Sequence, residues 1–240
     1  MGVLSIDNSM IPYEAADRRD WRNLPGSSAS LSIAATVKAK PSTYLVITQD
    51  SITAEQIRNE VEFFLPETPI LVFPDWETLI YDSFSPHQDI ISDRLRILNE
   101  LPTLNSGVVI VTANTIMQKL APPKFILGSS VMLSVGQKLD FSQMRRKLEA
   151  AAYRYVDNVF DHGEFAVRGS IMDIFPMGTD TPYRIDLFDD EIESLRPFEP
   201  ETQRSIGKVT AVELLPAREF PLTGEAINGF QDQWYERLSS

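Results

Sequence analysis

Cysteine is absent from the 240 residues, and histidine occurs only at His87 and His162. No disulfide scaffold, thiol nucleophile or cysteine-type zinc site can be built, and a multi-histidine metal centre is excluded too. No run approaches the ~18 apolar residues that a membrane span needs. The N-terminus has no basic segment ahead of an apolar core, as a secretory signal would have. A cytoplasmic location with no membrane partner is expected, and the lack of cysteine fits a reducing compartment. Positive charge is also scarce: 22 Lys and Arg face 34 Asp and Glu, a formal net charge of −12. DNA binding needs clustered cations that release counterions, and the field of this chain repels phosphate. Autonomous tight binding to nucleic acid is therefore not expected, while a local basic patch or a protein partner stays open.

What is present is globular. Hydrophobic residues make up 43% of the chain, which excludes general disorder. The length allows one large domain or two small ones. The first half alternates strands with helices. Short apolar runs at 43–48 (TYLVIT), 70–73 (ILVF) and 108–112 (VVIVT) read as buried parallel strands. Between them, 53–65 reads as a helix with a Thr53/Gln56 capping box. A second helix is started by Ser85, Pro86 and Gln88, with Ile91, Leu95 and Leu98 inward. A short helix is expected over 115–120, before the Ala-Pro-Pro break at 121–123. The βαβαβ rhythm argues for a parallel sheet flanked by helices.

The second half changes character. A strand at 131–135 and an Asp140-capped helix precede short strands near 165–168, 171–175, 183–188, 192–198 and 209–214, separated by turn signals. Their spacing suggests a small, mostly antiparallel sheet. Residues 1–128 are taken as an α/β domain, 129–215 as a small α+β domain, and 216–240 as a segment returning to the first. The last residues read as a helix with Ile227, Phe230, Trp234 and Leu238 on one face. An amphipathic helix running into the chain end is expected of a piece cut from a longer protein.

Chemistry-bearing motifs are few. The nearest match to a phosphate loop is Pro25-Gly26-Ser27-Ser28-Ala29-Ser30-Leu31. It lacks the second Gly and the Lys that would neutralise the β- and γ-phosphates. Helix-start amides there could hold an anion, but a plain helix N-terminus is the simpler reading. His87 sits at a helix start and His162 before a turn. Neither a Ser-nucleophile elbow nor a zinc-protease motif occurs, so no catalytic residue and no metal ligand is assigned. The stretch Asp75–Ser85 (DWETLIYDSFS) reads as an apolar loop packed over the sheet, with a functional aromatic loop as the alternative.

Strand alternation gives the strongest surface signal. Along 183–188, Tyr183, Ile185 and Leu187 take the core face, and Arg184, Asp186 and Phe188 the other. Likewise Phe165 and Val167 read inward, and Glu164, Ala166 and Arg168 outward. Arginine and an exposed aromatic on one sheet face match the composition of interface hot spots. A solvated face with one stray Phe and intra-sheet Arg–Asp pairs remains the alternative.

Several strings make the chain resemble a family. DWETLIYDSFSPHQDIISDRL at 75–95, GEFAVRGSIMDIFPMG at 163–178, YRIDLFDDEIESLRPFEPETQRS at 183–205 and LLPAREFP at 214–221 resemble the N-terminal region of the bacterial transcription-repair coupling factors. The second-domain strings are also similar to those of UvrB. The resemblance covers nearly the whole chain from about residue 24. It implies a degenerate helicase-like (P-loop NTPase-like, RecA-like) parallel-sheet domain with an inserted α+β domain that binds UvrA. By motif, the implied UvrA-binding residues are Arg168, Arg184 and Phe188, which alternation has already placed outward. It further implies a non-enzymatic adaptor in nucleotide excision repair, with no cofactor of its own. The full family member would carry an ATP-driven translocase, contacts to RNA polymerase and DNA, and a C-terminal region that masks the UvrA face. Two features of UvrB are missing here: the intact phosphate loop, and the long aromatic DNA-clamping hairpin, replaced by the short stretch Tyr81–Gln88. A UvrB-like ATP-dependent helicase fragment that binds damaged DNA is the alternative.

Overall fold

A computed structural model of the chain describes Ile11 and residues 17–78, 85–222 and 224–238. Contacts divide it into two compact units, residues 1–77 with 100–119 and residues 78–99 with 120–240.

The first unit holds β1 (Thr43–Thr48), β2 (Ile70–Phe73) and β3 (Gly107–Thr112), all parallel, in the order β1-β3-β2. Helices α1 (Ser28–Ala39) and α2 (Ser51–Phe64) cover one face. Val37, Ala54, Val61, Val108 and Ile110 form the core there, with Tyr44, Val46, Ile57 and Val72 packed against it. The parallel strands stand where the apolar runs predict. The cap of α2 does not: Asp50, not Thr53, is the N-cap, its carboxylate accepting from the Thr53 amide at 2.7 Å. An aspartate is the better cap because its charge also complements the helix dipole. Gly107 opens β3 at a close backbone approach: a Cβ would stand 2.8 Å from the Pro69 carbonyl oxygen. The helix expected at 115–120 is instead a single turn, α4 (Ala113–Ile116), begun by the Thr112 hydroxyl.

The second unit includes α3 (Gln88–Glu100) up to Asn99, although the βαβ rhythm reads this helix as part of the first domain. Its polar side explains the difference. Buried Arg94 forms an ion pair with buried Glu219, Asn99 donates to Glu213, and the Ser92 hydroxyl accepts from the Gly178 amide. The helix starts at His87, whose carbonyl accepts from the Ile90 and Ile91 amides, and not at Ser85. After α5 (Pro123–Ser129), β4 (Val131–Ser134) pairs antiparallel with β10 (Ala211–Leu214). Helix α6 (Phe141–Ala150) is capped by Asp140, which accepts from the Ser142 and Gln143 amides, as expected.

A five-stranded sheet forms the body of this unit, ordered β5 (Arg154–Tyr155), β6 (Glu164–Arg168), β7 (Ile171–Ile174), β8 (Tyr183–Phe188) and β9 (Glu191–Pro197). Only β5–β6 is parallel. Phe165, Met172, Ile174, Ile185, Ile192 and Leu195 are buried. The chain closes with α7 (Gly224–Leu238), whose Phe230 and Trp234 rings stack with centroids 6.0 Å apart.

Glu164 and Ala166, read as outward-facing, are both buried, which corrects the alternation argument at β6. Val159, Phe175 and Phe198 cover the face that Ala166 occupies, with Val156 beside them. Glu164 turns into hydrogen bonds with the Phe160 and Asp161 amides and an ion pair with Arg154. The sheet therefore has two covered faces at this end, and a pattern built on one open face fails there.

Candidate functional site

The face of β6–β8 that carries Arg168 and Arg184 is organised by one buried carboxylate. The antiparallel register sets Ala166, Asp173, Arg184 and Arg196 in one row across four strands, all pointing to one side. Two residues along, Arg168, Ile171, Asp186 and Ser194 form the next row. The Asp173 side chain is 0% exposed. It accepts from Arg184 Nε at 2.7 Å, Arg184 Nη2 at 2.9 Å and Arg168 Nη2 at 2.6 Å. These charge-assisted bonds fill both carboxylate oxygens, so burial leaves neither unsatisfied.

The two arginines are held differently. Arg184 lies flat, its side chain 20% exposed, with its guanidinium carbon 5.0 Å from the centre of the Phe198 ring. Its Nη1 reaches the Gln203 carbonyl at 3.4 Å. The hydrogen bond to Asp173 pushes its pKa above the ordinary arginine value, so it stays charged. Arg168 stands at the edge with half its side chain exposed, and donates from Nη1 to Asn158 at 3.2 Å. Its Nε has no acceptor among the described residues. Arg196 and Ser194 close the row on the other side by bonding Asp186.

Phe188 ends β8 two residues past Asp186, beyond a register shift between Asp186 and Leu187, and is 69% exposed. Just beyond it, Asp189 adopts a positive φ in the turn to β9, and Asp190 pairs with Lys138. The structure thus brings Arg168 and Arg184 together on Asp173, which strand alternation alone did not single out, and leaves Phe188 exposed at the end of the same strand as Arg184. The signal was in the hairpin register: once β7 and β8 are paired, Asp173 lies opposite Arg184. The arginines form the intra-sheet pairs of the solvated-face alternative, while Phe188 and the Arg168 head remain accessible.

The other candidate chemistry is accounted for by packing. At the start of α1, Ser30 donates to Glu60 at 2.6 Å, and this bond holds the Glu60 carboxyl below its usual range. A phosphate approaching this helix end would meet a carboxylate. His162 is half-buried against Phe175, with one ring nitrogen 2.7 Å from Asp89 and the other 2.7 Å from the Thr179 carbonyl. Asp75 accepts from Thr115 and Gln118. The rest of the aromatic stretch, residues 79–84, lies outside the described residues, as do most of residues 1–16. No group of three metal-ligating side chains occurs among the described residues, and no helix there is long and apolar enough to cross a membrane.

Comparison with known proteins bears on the same unit. Residues 131–220 match the family model described as the UvrB interaction domain. Along most of its length the chain is similar to proteins named transcription-repair-coupling factor. It is 43% identical over 224 residues to that of Escherichia coli, which is 93% of this chain and 19% of that protein. The corresponding figures are 41%, 94% and 20% for Haemophilus influenzae, and 28%, 92% and 19% for Bacillus subtilis. The chain thus spans about a fifth of the length of the curated relatives it matches.

Proposed function

We propose that this chain, whose residues 131–220 belong to the UvrB interaction domain family within a length similar to the transcription-repair-coupling factors, is an adaptor that docks UvrA. The observation that carries the reading is the exposed Phe188 at the end of β8, the strand whose Arg184 is fixed together with Arg168 by buried Asp173. An exposed large aromatic in the same sheet as ordered arginines is the composition of an interface hot spot. Arg168, with an unused Nε and a half-exposed head, makes charge-assisted bonds to UvrA carboxylates. Arg184 supplies positive potential from a fixed position, and Phe188 is the apolar anchor. Asp173 keeps the side-chain entropy lost on docking small, because the arginines are ordered beforehand.

The first unit serves as a scaffold in this account. Its helicase-like, P-loop NTPase-like descent is what the resemblance to UvrB and the transcription-repair coupling factors implies, and the parallel order of β1–β3 is compatible with it. The acid at that loop and the missing lysine argue against nucleotide chemistry. ATP, RNA polymerase and DNA engagement belong to the rest of the longer relatives, and so does any C-terminal segment that masks the Phe188 face. The test is a titration of UvrA into the wild-type chain and into Phe188→Ala. Phe188 is exposed, so its removal leaves the fold intact while binding weakens. Equal affinities would sink the assignment.

A further inference from the structure

The string LLPAREFP at 214–221 is not used by the proposed UvrA face, and most of its polar groups have structural partners. Glu219 pairs with Arg94, the Ala217 amide bonds the Ala151 carbonyl, and the Leu215 carbonyl accepts from Tyr153 Oη. Burial pushes the Tyr153 hydroxyl pKa up, so it remains a neutral donor. Arg218 is the exception. Its Nε is buried without an acceptor, and Nη2 makes one long bond of 3.4 Å to the Ala150 carbonyl.

Arg218 lines a groove of about 640 Å³ with Lys147, and the walls include Phe125, Met144, Leu148 and Leu215. This volume lies in the range of sites that take a few side chains or a small molecule. Lys147 has no carboxylate in ion-pair distance among the described residues. Glu149 is the one acid among the lining residues, and it is engaged by Arg145 at 2.9 Å. The groove is thus apolar with two uncompensated cations, in a chain whose net charge is −12.

We propose that this groove docks a peptide segment of a partner protein in which a carboxylate is flanked by large apolar side chains. The carboxylate bonds the Arg218 guanidinium through its outer nitrogens, with Lys147 adding charge at the mouth. The apolar side chains fill the space beside Met144 and Leu148. A second copy of this chain is a poor occupant, because two bodies of charge −12 repel. None of Arg168, Arg184 and Phe188 lines the groove, so this site stands or falls separately from the UvrA face.

The probe is an acetylated and amidated tetrapeptide, Leu-Glu-Phe-Leu, titrated into the full chain and followed by amide NMR. The expected result is saturable shifts of residues 147–151 and 214–218, with the Gln-containing peptide at least about tenfold weaker. In Arg218→Gln the difference between the two peptides should shrink to the smaller share that Lys147 supplies. The peptide comparison needs no variant, so it stays decisive if Arg218→Gln fails to fold. Equal binding of the two peptides by the wild-type chain, or no groove shifts at millimolar peptide, would overturn the proposal. So would concentration-dependent dimerisation through these residues in sedimentation velocity.

Discussion

Replacing Asp173 by asparagine isolates the energetics of the candidate face. The carboxylate is fully buried and accepts from three guanidinium nitrogens at 2.6–2.9 Å. Asparagine keeps the shape, but it loses the charge and turns one acceptor into a donor aimed at Arg184. Removing one partner of a buried ion pair costs about 3–5 kcal/mol. Arg168 is half exposed, so water takes over much of its loss and its share is small. Arg184, four-fifths buried, carries most of the effect, which places the loss near the lower end, about 3 kcal/mol. Urea unfolding followed by circular dichroism measures it, and on a unit of this size the melting temperature should fall by about 6–12 °C. The double variant Asp173→Asn with Arg184→Gln removes the stranded charge and should recover at least about 1 kcal/mol relative to additivity. A single-variant loss below about 1 kcal/mol, or strict additivity in the double, would refute the role given to Asp173.

Further outcomes are expected elsewhere. Arg94→Met should destabilise the chain by about 3 kcal/mol or more by stranding Glu219, measured by urea unfolding, and Glu219→Gln should recover part of it. Gly178→Ala should lower stability by about 1–3 kcal/mol on heating, since φ is +81° and a Cβ would stand 2.8 Å from Leu215. At Glu164, burial pushes the pKa up, but the Phe160 and Asp161 amides and Arg154 outweigh it, so the net shift is below 4.5. Its contribution is therefore full above the unfolded value and is lost as pH falls through the lower folded value. An acid titration of stability should accordingly be flatter in Glu164→Gln below about pH 4.5.

The sequence was most informative where one physical rule governs an element. The parallel strands of the first unit sit where the apolar runs read, but only β3 is buried throughout, and β1 exposes Leu45 and Ile47, contrary to a strand buried on both faces. The range of β8 and the cap at Asp140 are also as expected. Helix starts were less legible when two residues could serve: Asp50 and His87 displace Thr53 and Ser85 because their acceptors reach the free amides. Face assignment failed at Glu164 and Ala166, since a non-local cover by Val159 and Phe198 leaves no trace in the local alternation. Within the candidate face, Phe188 is exposed as the pattern required. The half-buried state of Arg184 follows from Asp173, a residue that becomes visible only after the β7–β8 register is known.

The central claim is that Phe188 and the two arginines are a docking site for UvrA. Isothermal titration of UvrA with the wild-type chain and with Phe188→Ala tests it most directly, because the substituted side chain is exposed and leaves the Asp173 network in place. The account predicts a loss of about 2 kcal/mol, roughly thirtyfold in affinity. An unchanged affinity in a variant with wild-type stability would contradict it.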